Sequence, residues 1–332
     1  MTKEEYKALY KYLLKDCNQL EAFFERDKND CYTGKFKISS EDKLPFFNKI
    51  FKTNISHSQY DVVSNGEGNE KEKIDSVYSS SLQSLLVFHN VSKTNKLKIG
   101  EYSFDKVLFE YRNTAIKSNR PSSVDVVLID SDNKAIAFIE SKFLEILRDS
   151  TENKKEVIGI SYYSSKDPHG YNRSLNLDEE DFNKMKISYP DQGPYLDSVR
   201  GKSQLTQSID KLDERNYVYA DGIKQILSHM IGIRSFKNNE SEYVDDPIIN
   251  HLAFDKFIYI ELFNSFPGLD ESIKGTKIDD FINHCSVVKE VIMKKNKNLI
   301  DDFMILSYQD LFANNRDFNL SDVVARYFHI KG

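Results

Sequence analysis

Asp125, Glu140 and Lys142 are the residues of this 332-residue chain whose types and spacing fit one definite chemistry. They stand as D-x14-E-x-K inside the stretch SSVDVVLIDSDNKAIAFIESK, Ser122 to Lys142. Two carboxylates brought together suit a divalent cation, and Mg²⁺ is typically held by one or two carboxylates plus waters and phosphate oxygens. An adjacent ammonium is then placed to orient or activate a metal-bound water in hydrolysis. The competing account is structural: Asp125 caps a strand, while Glu140 and Lys142 form an exposed pair on a sheet edge.

The elements that must position these groups are two β-rich apolar runs, Val124–Ile129 and Ala135–Ile139, around the polar segment Asp130-Ser131-Asp132-Asn133-Lys134. Such a pattern predicts a hairpin. With Asp132-Asn133 as a two-residue turn, Ser131 faces Lys134 and, counting back, Asp125 faces Glu140. Opposed residues share a face with Cβ atoms roughly 5 Å apart, and Lys142, two beyond Glu140, lies on that face too. A slip of one residue destroys the arrangement. Buried carboxylates opposite one another repel, so a compensating cation is expected. Glu110, late in a strand predicted over Phe104–Arg112, is a candidate additional metal ligand; an ion pair with Arg112 or a lysine is the alternative.

Pro121-Ser122-Ser123-Val124-Asp125, an apolar strand, a turn, a second apolar strand and Glu140-Ser141-Lys142 together resemble the PD-(D/E)XK nuclease superfamily, the fold shared by many restriction enzymes. The form IESKF, with Glu145 shortly after, is most similar to its restriction-endonuclease-like branches in bacteria. The match runs from Phe104 to Leu144 and is diffuse elsewhere. The resemblance implies an α/β fold with an αβββαβ core, a central mixed sheet flanked by helices. It also implies hydrolysis of DNA phosphodiesters dependent on Mg²⁺, with Mn²⁺ substituting, in restriction or phage defence. Asp125, Glu140 and the Ser141 carbonyl would ligate the metal, and Lys142 would position the attacking water. The helix after the E-x-K strand often carries a Gln or Lys that orients water or phosphate; Gln225 is the first choice, then Gln204 or Gln207. A helix ahead of the first strand sometimes lends an acid, here Glu70, Glu72 or Asp75, although acids there also simply favour the helix dipole. Such enzymes often act as dimers, and the apolar N-terminal helices would offer an interface.

The composition, 39% hydrophobic and 30% charged, supports a sizeable core, with no run long enough to span a membrane. The N-terminus lacks a signal-peptide apolar region, and Cys17, Cys31 and Cys285 read as free thiols, so a cytoplasmic protein is expected. The net charge of −6 weighs against a nucleic-acid partner, since phosphate binding leans on Lys and Arg. Between Val91 and Arg120, however, seven Lys or Arg face three acids. Three rivals therefore stand: a catalytically silent nucleic-acid-binding or assembly protein on a nuclease scaffold, an RNA-directed nuclease, and an interaction protein whose E-S-K is chance.

Three regions are expected. Residues 1–69 form a mainly helical extension, with helical spacing over 3–26. Residues 70–265 form the core, with an insertion at about 146–200 in which Lys166, His169, Tyr171, Asn172 and Arg173 are candidate DNA contacts. Residues 266–332 add a helix and a strand. Helices are predicted over Ile74–Asn90, Lys202–Asp213, Asp221–Ile233 and Ile278–Lys295, and strands over the end of His251–Asn264 and over Phe303–Tyr308. Ser79-Ser80-Ser81 and Gln83 either touch phosphate or form a solvated face, and Lys294-Lys295-Asn296-Lys297 reads as a solubilising turn. His229 reads as a packed or exposed histidine rather than a general base. Gly201-Lys202-Ser203 is no P-loop, because position 196 is Leu.

Overall fold

In the computed structural model the described residues are 3–28, 31–38, 43–66, 73–113, 122–147, 175–185, 223–240, 249 and 253–330. Pro121, Glu70, Glu72, Gln204, Gln207, the helix predicted over Lys202–Asp213 and the named candidates of the insertion lie outside them.

Ahead of the central sheet come helices α1 (Lys3–Leu14) and α2 (Asn18–Glu21), the hairpin β1 (Phe24–Arg26) and β2 (Tyr32–Phe36), and helices α3 (Lys43–Phe51) and α4 (His57–Ser64). The apolar side of α1, with Leu9, Tyr10, Leu13 and Leu14, is buried in the chain's own hydrophobic cluster. That side is therefore already covered and offers no apolar stripe for a second copy.

The helix predicted over Ile74–Asn90 is shorter, α5 (Ser80–Phe88). Residues before it pair with β2 instead: Phe36 N donates to Asp75 O (2.8 Å) and Val77 N to Gly34 O (3.0 Å). Ser79 then caps α5 by accepting from Leu82 N, which supplies a partner for an otherwise orphan amide. Ser81 and Gln83 are buried rather than solvated, and Asp75 pairs with Lys43 (3.2 Å) instead of opening the helix.

After a small hairpin, β3 (Leu97–Ile99) and β4 (Tyr102–Phe104), come β5 (Lys106–Asn113), β6 (Ser122–Asp130) and β7 (Ala135–Lys142). Among the described residues the remaining elements are a 3₁₀ turn at Leu144–Leu147, α6 (Glu179–Lys184), α7 (Ile223–Lys237), β8 (Lys256–Phe263), α8 (Glu271–Lys274), α9 (Lys277–Lys295), β9 (Asp302–Ser307), α10 (Tyr308–Ala313) and α11 (Asp322–Tyr327). The central sheet is mixed, in the order β5-β6-β7-β8-β9. Its first three strands are antiparallel, and β7, β8 and β9 run parallel. Parallel neighbours need a crossover, which brings α7 and then α9 across the sheet. Every residue of β7 is buried, as expected for a strand covered on both faces.

The two covers follow from side-chain alternation. Phe138 packs on Phe236 of α7 (ring centroids 5.8 Å apart), whereas Ser141, of opposite parity, meets Tyr308 of α10 (2.6 Å between oxygens). Burying each of Phe138, Tyr259 and Phe303 contributes roughly 1.5–3 kcal/mol, and one hydrophobic cluster extends from Leu9 to Phe328. Among the described residues no helix is long and apolar enough to cross a membrane.

Candidate active site

The β6–β7 hairpin sets the site. The turn differs from the predicted two-residue loop: the last ladder pair is Asp130↔Ala135, which leaves the four residues Ser131 to Lys134 outside the ladder. The cause is Asp130, which accepts from the backbone N of Asp132 (3.1 Å) and Asn133 (3.0 Å) and from Asn133 Nδ2 (2.7 Å), folding the loop back on itself. The register is nevertheless the predicted one. It runs as far as Val126↔Ile139, and the same count continued by one step puts Asp125 level with Glu140. There the ladder stops, and Asp125 Oδ2 itself accepts from Ser141 N at 2.8 Å.

Glu140 and Lys142, on the side of β7 covered by α7, are bonded directly: Lys142 Nζ donates to Glu140 Oε1 at 2.7 Å. The same Nζ donates to Gln225 Oε1, also at 2.7 Å. Gln225 is exposed and sits one helical turn before His229, the i, i+4 spacing that stacks side chains on one helix face. His229 Nε2 lies 3.0 Å from Glu140 Oε2, and its Nδ1 lies 2.7 Å from Ser122 Oγ. Gly232 allows α7 this close: a Cβ there would stand 3.0 Å from Asn113 Cβ and 3.4 Å from Ser122 Cβ.

Glu110 takes a different direction. The pairing on either side, Phe109↔Val126 and Tyr111↔Val124, puts it level with Asp125. Its φ is +48°, however, an uncommon conformation for a non-glycine residue. Its carboxylate accepts from Ser81 Oγ of α5 (2.6 Å) and from Ser123 Oγ (3.2 Å). Glu110 still acts on Asp125 through its charge.

Glu261 completes the site and is not evident from the motif. It pairs with Glu140 across β7 and β8, is fully buried, and accepts from Tyr259 OH (2.5 Å) through Oε1, while Oε2 has no partner. The signal available in the sequence was one acid inside FIYIELF, a strand otherwise apolar enough to be buried. His229 had a comparable signal, its spacing from Gln225.

The charges are unequal. Burial, then Glu140 and Glu110, push the Asp125 carboxyl well above its usual range. Burial also raises Glu261, to about 8, with Glu140 adding to the effect against Lys142. For Glu140, burial is outweighed by Lys142 and His229, which hold it at about 2. Burial would depress Lys142, but Glu140, Glu145, Glu261 and Asp125 outweigh it and keep the ammonium charged. Burial raises Glu145 as well.

A hard divalent cation prefers oxygen donors, and binding one would displace the proton that burial and the neighbouring carboxylates favour on Asp125, so the oxygen donor set fits Mg²⁺. Among the described residues no three His, Cys, Asp or Glu side chains are gathered as a metal cage; Mg²⁺ usually takes one or two carboxylates and fills the rest of its shell with water and phosphate. Elsewhere, Lys295 of the basic cluster pairs with Asp178 (2.6 Å) and Asp181 (3.0 Å), and no disulfide joins Cys17, Cys31 or Cys285. No protein-family model, no curated protein and no solved structure matches this chain.

Proposed function

We propose that the chain is a metal-dependent nuclease that hydrolyses DNA phosphodiester bonds on a restriction-endonuclease-like core. What supports this reading most is the Lys142 ammonium, bonded to Glu140 and Gln225 beside the strand end that carries Asp125. The order α5, β5, β6, β7, α7, β8 supports it at the level of architecture, with β9 as a fifth strand.

Asp125 and Glu140 would hold Mg²⁺, which supplies Lewis-acid polarisation of the phosphoryl oxygens and a water of lowered pKa. Ser141 N–H fixes Asp125 from the backbone, and Glu110 adds negative potential behind it. Lys142 stays charged and presents a fixed cation to the developing phosphorane, a kind of stabilisation worth about 10²–10³-fold in rate per donor. Gln225, the exposed partner, would hold the Lys142 ammonium in place through its Oε1.

The test is cleavage of supercoiled plasmid and phage DNA with Mg²⁺ or Mn²⁺, comparing wild type with Glu140→Gln and Lys142→Met. Metal-dependent nicking that disappears in both folded variants is expected. Cleavage of RNA alone would redirect the substrate. Absence of both cleavage and Mn²⁺ binding would overturn the reading.

A further inference from the structure

His229 has no part in the chemistry just described, yet it is among the most constrained polar side chains of the site. It is 4% exposed, with one ring nitrogen on Glu140 and the other on Ser122. A carboxylate only accepts, so Nε2 carries a proton and donates to Glu140. The Ser122 hydroxyl, able to donate or accept, serves Nδ1. Tyr259 lies against the ring with centroids 6.0 Å apart, and the close approach at Gly232 keeps α7 near the strands. The imidazole is thus held at both ends. Glu140 is held at both oxygens, by Lys142 at one and His229 at the other. A carboxylate offers about four lone-pair sites, so these two bonds fix its rotation and leave capacity for a further partner.

We propose that His229 is a positioning residue: backed by Ser122, it fixes the Glu140 carboxylate and thereby sets the affinity of the Asp125–Glu140 pair for a divalent cation. The inference rests on the metal-dependent reading. Hydrogen-bond partners behind metal ligands typically govern affinity by about 10–100-fold.

The test separates the two ends of the ring. A glutamine amide nitrogen falls near the place of Nε2 and keeps the bond to Glu140. An asparagine amide falls near Nδ1, keeping Ser122 and losing Glu140. Mn²⁺ binding is measured by calorimetry, without nucleic acid, for wild type, Asp125→Asn, His229→Gln, His229→Asn and Ser122→Ala, each checked for folding by circular dichroism and melting. Wild type is expected to bind and Asp125→Asn to lose binding. His229→Asn should weaken binding about 10–100-fold, while His229→Gln stays close to wild type. Ser122→Ala should weaken it by a smaller factor, and it decides the matter if the asparagine variant does not fold. Folded Asn and Gln variants with equal affinities would overturn the proposal, as would a Ser122→Ala variant indistinguishable from wild type. If wild type shows no Asp125-dependent Mn²⁺ binding, the metal-dependent reading itself falls and this inference falls with it.

Discussion

Glu140 and Glu261 are paired neighbours across β7 and β8, and their proton affinities are driven in opposite directions, to about 2 and about 8. Both are buried. What differs is the company each keeps: Glu140 touches Lys142 and His229, whereas Glu261 touches Tyr259 and leaves one oxygen unpartnered. One sheet row thereby carries an ionised carboxylate and, at neutral pH, a protonated one, the kind of split by which a fold assigns acid and base roles.

That split gives stability a pH dependence. Against an ordinary value of 4.5, native Glu261 keeps its proton up to about 8. Between those values the native state binds more protons than the unfolded chain, so stability falls as pH rises. Asp125, also raised, acts in the same sense. Glu140 acts oppositely: its contribution is present above 4.5 and is lost as pH falls toward about 2. Urea unfolding in EDTA should find Glu261→Gln more stable than wild type at about pH 8, by a few kcal/mol as an order of magnitude, with the advantage shrinking toward about pH 5. A pH-independent offset would show that Glu261 is ionised in the native state.

The Lys142–Glu140 pair should behave as a buried ion pair, since its side chains are 10% and 5% exposed. Removing one partner from such a pair costs about 3–5 kcal/mol, whereas an exposed pair is worth about 0–1 kcal/mol. Lys142→Met is therefore expected to lose about 3 kcal/mol or more, with His229 limiting the damage. The double variant with Glu140→Gln should recover a large part. Additive losses in a double-mutant cycle would contradict the pairing.

Gly232→Ala tests the approach of α7. Alanine favours a helix interior by about 1 kcal/mol over glycine, but its Cβ would meet Asn113 Cβ at 3.0 Å. Overpacking of this kind typically costs about 1–3 kcal/mol, so a lower melting temperature is expected. A rise would mean that β5 gives way and that His229 does not depend on this contact.

Asp130→Ala tests the turn. Besides its three loop bonds, Asp130 accepts from Ser103 N at 2.7 Å, and it is fully buried. Several bonds to one buried carboxylate, each worth about 1 kcal/mol or more net, predict a loss of at least about 2 kcal/mol in chemical denaturation. Asp130→Asn should lose less. A neutral Ala variant would show that β6 and β7 find their register without the loop.

The hairpin was legible because its determinants are local: β-branched runs, a polar turn and a period of two fix which residues oppose, so Asp125 opposite Glu140 could be counted from the turn even though the turn type differed. The long helix α9 was legible for the same reason, its periodicity being written in neighbouring residues, whereas Gln225 was singled out through the family resemblance and not through any local pattern. The start of α5 was not legible. Its apolar spacing continues through Ile74 and Val77, but pairing of that segment with β2, some 40 residues earlier, offers the backbone hydrogen bonds that a helix would have given. Tertiary structure alone turned Glu110 toward Ser81, set Glu261 beside Glu140 through a parallel crossover, and seated His229 between Ser122 and Glu140. Each of these depends on contacts between elements far apart in the chain. The sequence by itself determined which charges share the hairpin; which partner each charge received depended on how the crossover helix and the parallel strand packed, and burial makes those partners set the proton affinities.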